Sequence, residues 1–388
     1  MPRGYDRLIH ISMIVLAVYG TLMIGSASMG KSAGDTKYLL INVGKQIGFI
    51  IIGCSAMVFT ARKFSVRLLK SDFILGIIFG TIAILLVCLL FKPVGGARAW
   101  IRIPLKITEI SIQPSEFAKI TAILIIAAYC GDVRKTYPRK WDLVKRPLGF
   151  IAVICLIVWK FQGDFGSMAV IAAISAVCFL IPSHRQLRPF QILLIVISAV
   201  LLGAVIFVLS PAGKGMIEQM SFLKEYQKNR FLSAIDPFYD RYNTGFQLIK
   251  GLTSIASGGW FGVGFGNSIN KYSEFPAADT DYILAILIEE LGFTGFLVLM
   301  ALYGIIIVRN FLYALRIRNE SARIILIGTS AYLLLHMFFN IGGVTGLIPL
   351  TGVPLLMISA GGSSTISFMT AIGICQAVIS AYNRAELS

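Results

Sequence analysis

Apolar runs of about 20 residues, long enough to cross the hydrocarbon layer as helices, recur through almost the whole of this chain. They lie near 8–28, 44–61, 72–91, 112–130, 147–162, 167–182, 189–209, 282–308, 322–342 and 364–382. A backbone immersed in lipid must satisfy its own hydrogen bonds, so such runs fold as helices. The expected fold is an all-α polytopic membrane protein of about ten transmembrane helices. The fifth and sixth runs are short and parted only by Gln162-Gly163-Asp164-Phe165-Gly166, so a single re-entrant hairpin would fit them too. Composition excludes a soluble domain: 56% of residues are hydrophobic and 14% charged, against roughly 25% charged in soluble domains.

The positive-inside rule orients the bundle. With both termini cytoplasmic, the inner segments collect 19 Lys and Arg and the outer segments 14, seven of these in one long loop where the rule loses force. Basic loops that set topology and meet anionic headgroups account for the net charge of +16, without a nucleic-acid partner. The first run has no small-residue cleavage site, so it is expected to stay in the mature chain. Cys54, Cys88, Cys130, Cys155, Cys178 and Cys375 sit in or beside apolar runs without Cys-x-x-Cys spacing, and read as packing residues. The scattered His10, His184 and His336 argue against a zinc site.

The outer loop at about 210–280 is far longer than the ~15 residues beyond which loops are functional or disordered. Its Phe, Tyr, Trp and Ile residues predict an ordered structure folded over the mouth of a single 1–388 domain. The loop at 342–364 contains no charged residue. Uncharged irregular backbone at a membrane survives when buried or lining a cavity, so this loop is expected to fold inward.

Charge inside a membrane is costly and therefore informative. Glu116 and Lys119, three residues apart, share one helix face; they form either a neutralised structural pair or part of a polar cavity. Asp164 either caps the following helix or holds a cation or basic partner at the mouth. Glu289 and Glu290 lie deeper, where at least one needs a basic or hydroxyl partner. The glycine-rich 257–266 stretch lacks the Lys-Ser/Thr of a phosphate loop and reads as tight turns. Asp281 stands where the long loop meets the eighth run. A helix N-terminus there would stabilise it as a carboxylate, and its place at the mouth suits a general base acting on a lipid-linked headgroup.

Taken in order, a set of motifs resembles the SEDS family (shape, elongation, division and sporulation; RodA, FtsW and SpoVE). It runs from Gly96-Ala97-Arg98-Ala99-Trp100-Ile101 and Gln113-Pro114-Ser115-Glu116-Phe117-Ala118-Lys119 to Gly163-Asp164-Phe165-Gly166 and Tyr226-Gln227-Lys228-Asn229-Arg230. Gly245-Phe246-Gln247, Thr280-Asp281-Tyr282, Glu289-Glu290-Leu291-Gly292, Gly346 to Gly352 and Ser359 to Ser364 complete it. The resemblance implies a glycosyltransferase that polymerises lipid II at the outer leaflet of the bacterial plasma membrane. Its implied partners are a class B penicillin-binding protein and other division or elongation proteins. It places the catalytic carboxylate on Asp281 and substrate contacts on Arg98, Trp100, Glu116, Lys119, Asp164, Gln227 and Arg230. A divalent cation, Mg²⁺ or Mn²⁺, is a family expectation, with Asp281 and Asp279 as candidate ligands.

Four positions depart from the family pattern: Gly163 before Asp164, Ala99 before Trp100, Asp279 before Thr280, and Ala360 after Ser359. Asp279 adds a second carboxylate beside Asp281, which would raise its pKa or give a cation another ligand. The rival reading is a lipid II flippase. That activity needs polar groups graded through the whole bilayer, whereas the candidates here gather in the outer half.

Overall fold

The computed structural model describes residues 1–31, 36–93, 96–104, 109–133, 136–139, 141–210, 213–219, 225–238, 240–273 and 275–387. Among them seven helices are long and apolar enough to cross a membrane. They are α1 (Arg7–Lys31), α2 (Thr36–Lys63), α3 (Phe73–Val87, extended to Leu90 by a 3₁₀ turn), α7 (Arg188–Val208), α11 (Ile283–Arg316), α12 (Glu320–Val344) and α13 (Gly362–Asn383). The other three expected positions are also helical but shorter: α4 (Pro114–Cys130), α5 (Asp142–Leu156) and α6 (Phe165–Phe179).

The helix boundaries follow local chemistry. Pro114 opens α4, where its missing N–H costs nothing. The Asp164 and Asn319 side chains each accept a backbone N–H of the first turn of α6 and α12, at 2.9 Å. A π-turn at Ile157–Phe161 ends the α5 run, with Gln162 N–H donating to Ile157 O at 3.0 Å. Helix α4 is buried along nearly its whole length against α6, α12 and α13. Helix α7 is the opposite case: Phe190 is its one buried residue, and the rest presents Ile, Leu and Val outward, as a lipid-facing helix does.

One element corrects the purely helical expectation. Ile101–Pro104 (β1) and Glu109–Ile112 (β2) pair antiparallel, with Ile101 opposite Ile112. The alternation Ile101-Arg102-Ile103 and Ile110-Ser111-Ile112 carries the period of two that makes a strand. The described residues of the long loop include three helices, α8 (Lys214–Gln219), α9 (Glu225–Ile235) and α10 (Phe246–Gly258).

Loop and bundle interlock where α11 breaks at Gly292, whose φ is +68°. The freed N–H groups of Phe293 and Thr294 donate to Gly259 O and Trp260 O at 2.9 and 3.0 Å. In return Val263 N–H and Gly264 N–H donate to Glu289 O and Glu290 O. A Cβ on Gly292 would lie 2.3 Å from Trp260 O, and one on Gly262 2.2 Å from Glu290 O. Glycine-rich 257–266 is thus a close-approach segment, as its sequence suggests.

At the opposite end the termini meet. Asp6 N–H donates to Gln376 Oε1 at 2.8 Å, Gln376 Nε2 donates back to Asp6 O at 2.9 Å, and Arg309 pairs with the Asp6 carboxylate at 2.5 Å. Both chain ends therefore lie on the same face of the bundle. All six cysteines are free thiols.

Candidate active site

Asp281 is fixed through its backbone. Three successive carbonyls of its segment are each held by a different donor. Ala360 N–H donates to Asp279 O at 2.9 Å, Ser359 Oγ to Thr280 O at 2.7 Å, and Asn340 Nδ2 to Asp281 O at 3.0 Å. Asn340 also donates to Val353 O at 3.2 Å, tying α12 to the uncharged loop. Ala277, at φ +55°, starts the turn that leads into this segment. The carboxylate is half-buried at the end of the turn, ahead of α11.

Arg230 of α9 and the Asp281 carboxylate face the same side of Gly352. A methyl built on Gly352 would lie 3.8 Å from Arg230 Nη1 and 3.9 Å from Asp281 Oδ2. Arg230 Nη1 donates to Leu350 O at 2.8 Å. Burial lifts the Asp281 carboxyl above the ordinary carboxylate range; Arg230 pulls it down and Asp279 adds to the lift, and the net direction is upward. The ionised form is therefore less favoured and more basic, as a proton acceptor needs. The resemblance places Gln227 on α9 as well, and its side chain lies outside the described residues.

Glu116 and Lys119 are fully buried and paired at 2.7 Å. Tyr332 donates to Glu116 Oε2 at 2.9 Å, and Lys119 Nζ lies 2.9 Å from His336 Nε2. His336 Nδ1 lies 2.8 Å from Pro354 O. A carbonyl can only accept, so Nδ1 carries the hydrogen and Nε2 is left to accept from Lys119. The pair is thus neutralised, and it reaches the Asp281 region through His336 and the 353–360 segment.

A third group surrounds Asp164. Its Oδ1 caps α6, and its Oδ2 accepts Gln113 Nε2 at 2.8 Å. Exposed Arg98 is tethered nearby by its backbone N–H, which donates to Gln162 O at 2.7 Å, and partly exposed Trp100 leads into β1. Gly166 abuts Thr351, where a Cβ would lie 2.7 Å from Thr351 O. Glu289 and Glu290 moor the long loop. Glu290 pairs with buried Lys271 at 2.7 Å and accepts from Ser26 Oγ, while Glu289 accepts Ser268 Oγ at 2.7 Å and Asn270 Nδ2 at 3.0 Å.

The uncharged loop is the common neighbour of these groups. It meets Arg230 at Leu350, Gly166 at Thr351, Asn340 at Val353, His336 at Pro354, the Asp279–Asp281 segment at Ser359 and Ala360, and Gln113 at Ser363. It also passes into the bundle core, where Leu355, Leu356, Met357 and Ile358 have no exposure. Sequence reasoning expected it to line the site but missed Asn340 and His336. Their signal was two polar residues four apart on one face of an apolar helix.

Among the described residues no group of three or more His, Cys, Asp or Glu forms a metal cage. The two neighbouring carboxylates Asp279 and Asp281 fit a different mode, in which Mg²⁺ takes one or two carboxylates and completes its shell with substrate phosphate oxygens and water.

Comparison with known proteins gives the site its context. The family model described as a cell cycle protein, covering FtsW, RodA and SpoVE, matches residues 6–384. The chain belongs to the FtsW/RodA/SpoVE family. A Bacillus subtilis relative, carrying the name probable peptidoglycan glycosyltransferase FtsW, is 31% identical over 96% of this chain and 90% of its own length. A Lactococcus lactis relative of the same name is 31% identical over 98% and 93%. Among solved structures, a chain of a peptidoglycan synthase complex that coordinates polymerization and crosslinking matches with a TM-score of 0.72 at 22% identity, covering 98% of each chain. Thermus thermophilus RodA matches with a TM-score of 0.64 at 21% identity over the same shares. Like other members of the FtsW/RodA/SpoVE family, this chain is a multi-pass bacterial membrane protein.

Proposed function

We propose that this protein is a peptidoglycan glycosyltransferase that joins lipid II units into glycan strands at the outer leaflet, during cell division or elongation. The observation that carries the reading is Asp281. It is a carboxylate of raised basicity, held by three backbone clamps where the bundle opens to the outer loop, with a guanidinium beside it.

In this reading Asp281 accepts the proton of the acceptor sugar's 4-hydroxyl. The oxygen attacks the donor's anomeric carbon; the new C–O bond forms as the bond from that carbon to the diphosphate breaks. Undecaprenyl diphosphate leaves with the electron pair. Charge on that leaving group is stabilised by cations aimed at where it develops. Arg230 beside Asp281 and exposed Arg98 suit that task, with Trp100 and Gln227 as further substrate contacts. Glu116, Lys119 and Asp164 act from behind, setting the loop and helix ends that frame the base. Mg²⁺ or Mn²⁺ held by Asp279 and Asp281 would supply further charge neutralisation at the diphosphate. A class B penicillin-binding protein and other division or elongation proteins are the partners this reading calls for.

The test is purified protein with its transpeptidase partner, given lipid II and a divalent cation. Wild type is expected to make glycan polymer, and Asp281→Ala none. Polymer surviving Asp281→Ala would overturn the site assignment, and lipid II translocation without polymer would favour a flippase.

A further inference from the structure

Beside Asp281, on the α9 side of Arg230, lies a cavity of about 220 Å³ whose lining includes Asn229, Arg230, Gln247, Leu248, Tyr282 and Ile348. At roughly 30 Å³ per water it has room for about seven waters, and it falls below the ~300 Å³ at which drug-sized pockets begin. One pyranose ring fits that space. The polar lining is neutral apart from Arg230, and the described lining residues include no carboxylate. Asn229 and Gln247 contribute primary amides whose side chains have no hydrogen-bond partner among the described residues. Each amide offers two donors and one acceptor group. Leu248, Ile348 and the Tyr282 ring add apolar surface against which a ring face or an acetyl methyl can pack.

We infer that this cavity is the subsite for the N-acetylhexosamine ring that carries the attacking hydroxyl. The inference rests on the glycosyltransferase reading and extends it to a named ring and named contacts. Neutral amides beside apolar surface match a sugar bearing hydroxyls and an acetamido group and no charge. A diphosphate would call for several cations, and a peptide carboxylate for a paired one. Position agrees with chemistry. Tyr282 follows Asp281 in sequence and lines the cavity, and Arg230 lines it too while sharing one face of Gly352 with the Asp281 carboxylate. A ring seated there lies against Tyr282, the residue after Asp281, with the amides of Asn229 on α9 and Gln247 on α10 within the same lining.

Two measurements test the subsite. The first uses wild-type protein in nanodiscs and the soluble probe methyl N-acetyl-β-glucosaminide, followed by saturation-transfer NMR. Transfer strongest at the acetyl methyl, lost in the cavity-filling Gln247→Trp and not competed by methyl β-glucoside, is expected. No transfer to wild type, or transfer unchanged by Gln247→Trp, overturns the proposal. The second follows glycan synthesis from lipid II and from lipid II whose terminal glucosamine lacks its acetyl group. Gln247→Ala and Asn229→Ala should each raise KM for lipid II about tenfold, the cost of one or two lost hydrogen bonds. kcat should stay within about twofold, because these contacts exist equally in ground and transition states. Preference for the acetylated substrate should fall toward unity in both variants. Unchanged KM and retained preference, in variants that unfold at the wild-type temperature, would sink the subsite while Asp281 kept its role. Probe binding by a wild type that makes no glycan would keep the subsite and remove the polymerase.

Discussion

Three influences meet at Asp281, two of them opposed by the third. Burial and Asp279 raise its carboxyl above the ordinary range, and Arg230 lowers it. A base works in its deprotonated form, so glycan synthesis is expected to rise with pH through this elevated value. Removing the guanidinium with Arg230→Ala should move the acidic limb of the rate profile to higher pH; Asp279→Asn should move it lower. Initial rates from pH 4 to 8 at fixed cation concentration check both directions, and shifts of the opposite sign would refute the assignment of charge. Stability follows the same linkage with its own sign. Folding disfavours the ionised form, so the penalty is present above the folded-state pKa and disappears as pH falls from there to the usual carboxylate value. Asp281→Asn is therefore expected to raise the unfolding temperature at neutral pH, in chelator, while abolishing synthesis. A carboxylate that costs stability where it sits is the signature of a group kept for its chemistry.

At the scale of elements, the break in α11 is the most demanding feature. Gly292 and the facing Gly262 both have positive φ, and both approach backbone too closely for a Cβ. Gly292→Ala should cost at least the ~1–3 kcal/mol of a strained backbone residue, and more because Trp260 O must move. A thermal-unfolding midpoint several degrees lower would show it. Next to the break, Lys271 and Glu290 are paired with no exposure on either side. Removing one partner of such a pair costs about 3–5 kcal/mol, whereas replacing both with apolar residues of similar size is often neutral. Lys271→Met should destabilise strongly, and Lys271→Met with Glu290→Leu should recover most of the loss. Additive losses in that cycle would mean that the pair is not coupled. The sequence marked at least one of Glu289 and Glu290 as needing a basic or hydroxyl partner, and for Glu290 Lys271 and Ser26 supply both kinds. It could not say which, because the partners lie 19 and 264 residues away. The hairpin at 101–112 went unread for a simpler reason: four-residue strands are short beside the apolar runs around them.

Across the whole molecule, the ten helical segments, their order and the inward fold of the 342–364 loop were legible, because hydrocarbon imposes length and polarity on every segment it touches. Asp281 was legible too, as a carboxylate at the junction of the long loop and a helix. The clamps upon it were not. Asn340, Ser359 and Ala360 act through backbone carbonyls, and nothing in a sequence says which donor a carbonyl will meet. The divalent cation belongs at this scale, since it would join protein and substrate. Chelation is expected to lower glycan synthesis at least tenfold, with Mg²⁺ restoring it. Full synthesis in chelator would remove Asp279 and Asp281 as cation ligands.

The loop from Gly342 to Ser364 touches the neighbourhood of almost every candidate residue, yet nothing in it can take up or release a proton. Its hold on the Asp281 segment comes from neutral amides, hydroxyls and packed apolar side chains, which respond little to acidity or salt. Protons and cations can come and go at the carboxylates while the geometry around them stays put. Such a mouth works like a machinist's jig: the workpiece changes charge at every cycle and the fixture does not. A pH or salt profile measured on this protein would therefore report the chemistry of its carboxylates, with little distortion from the frame that holds them.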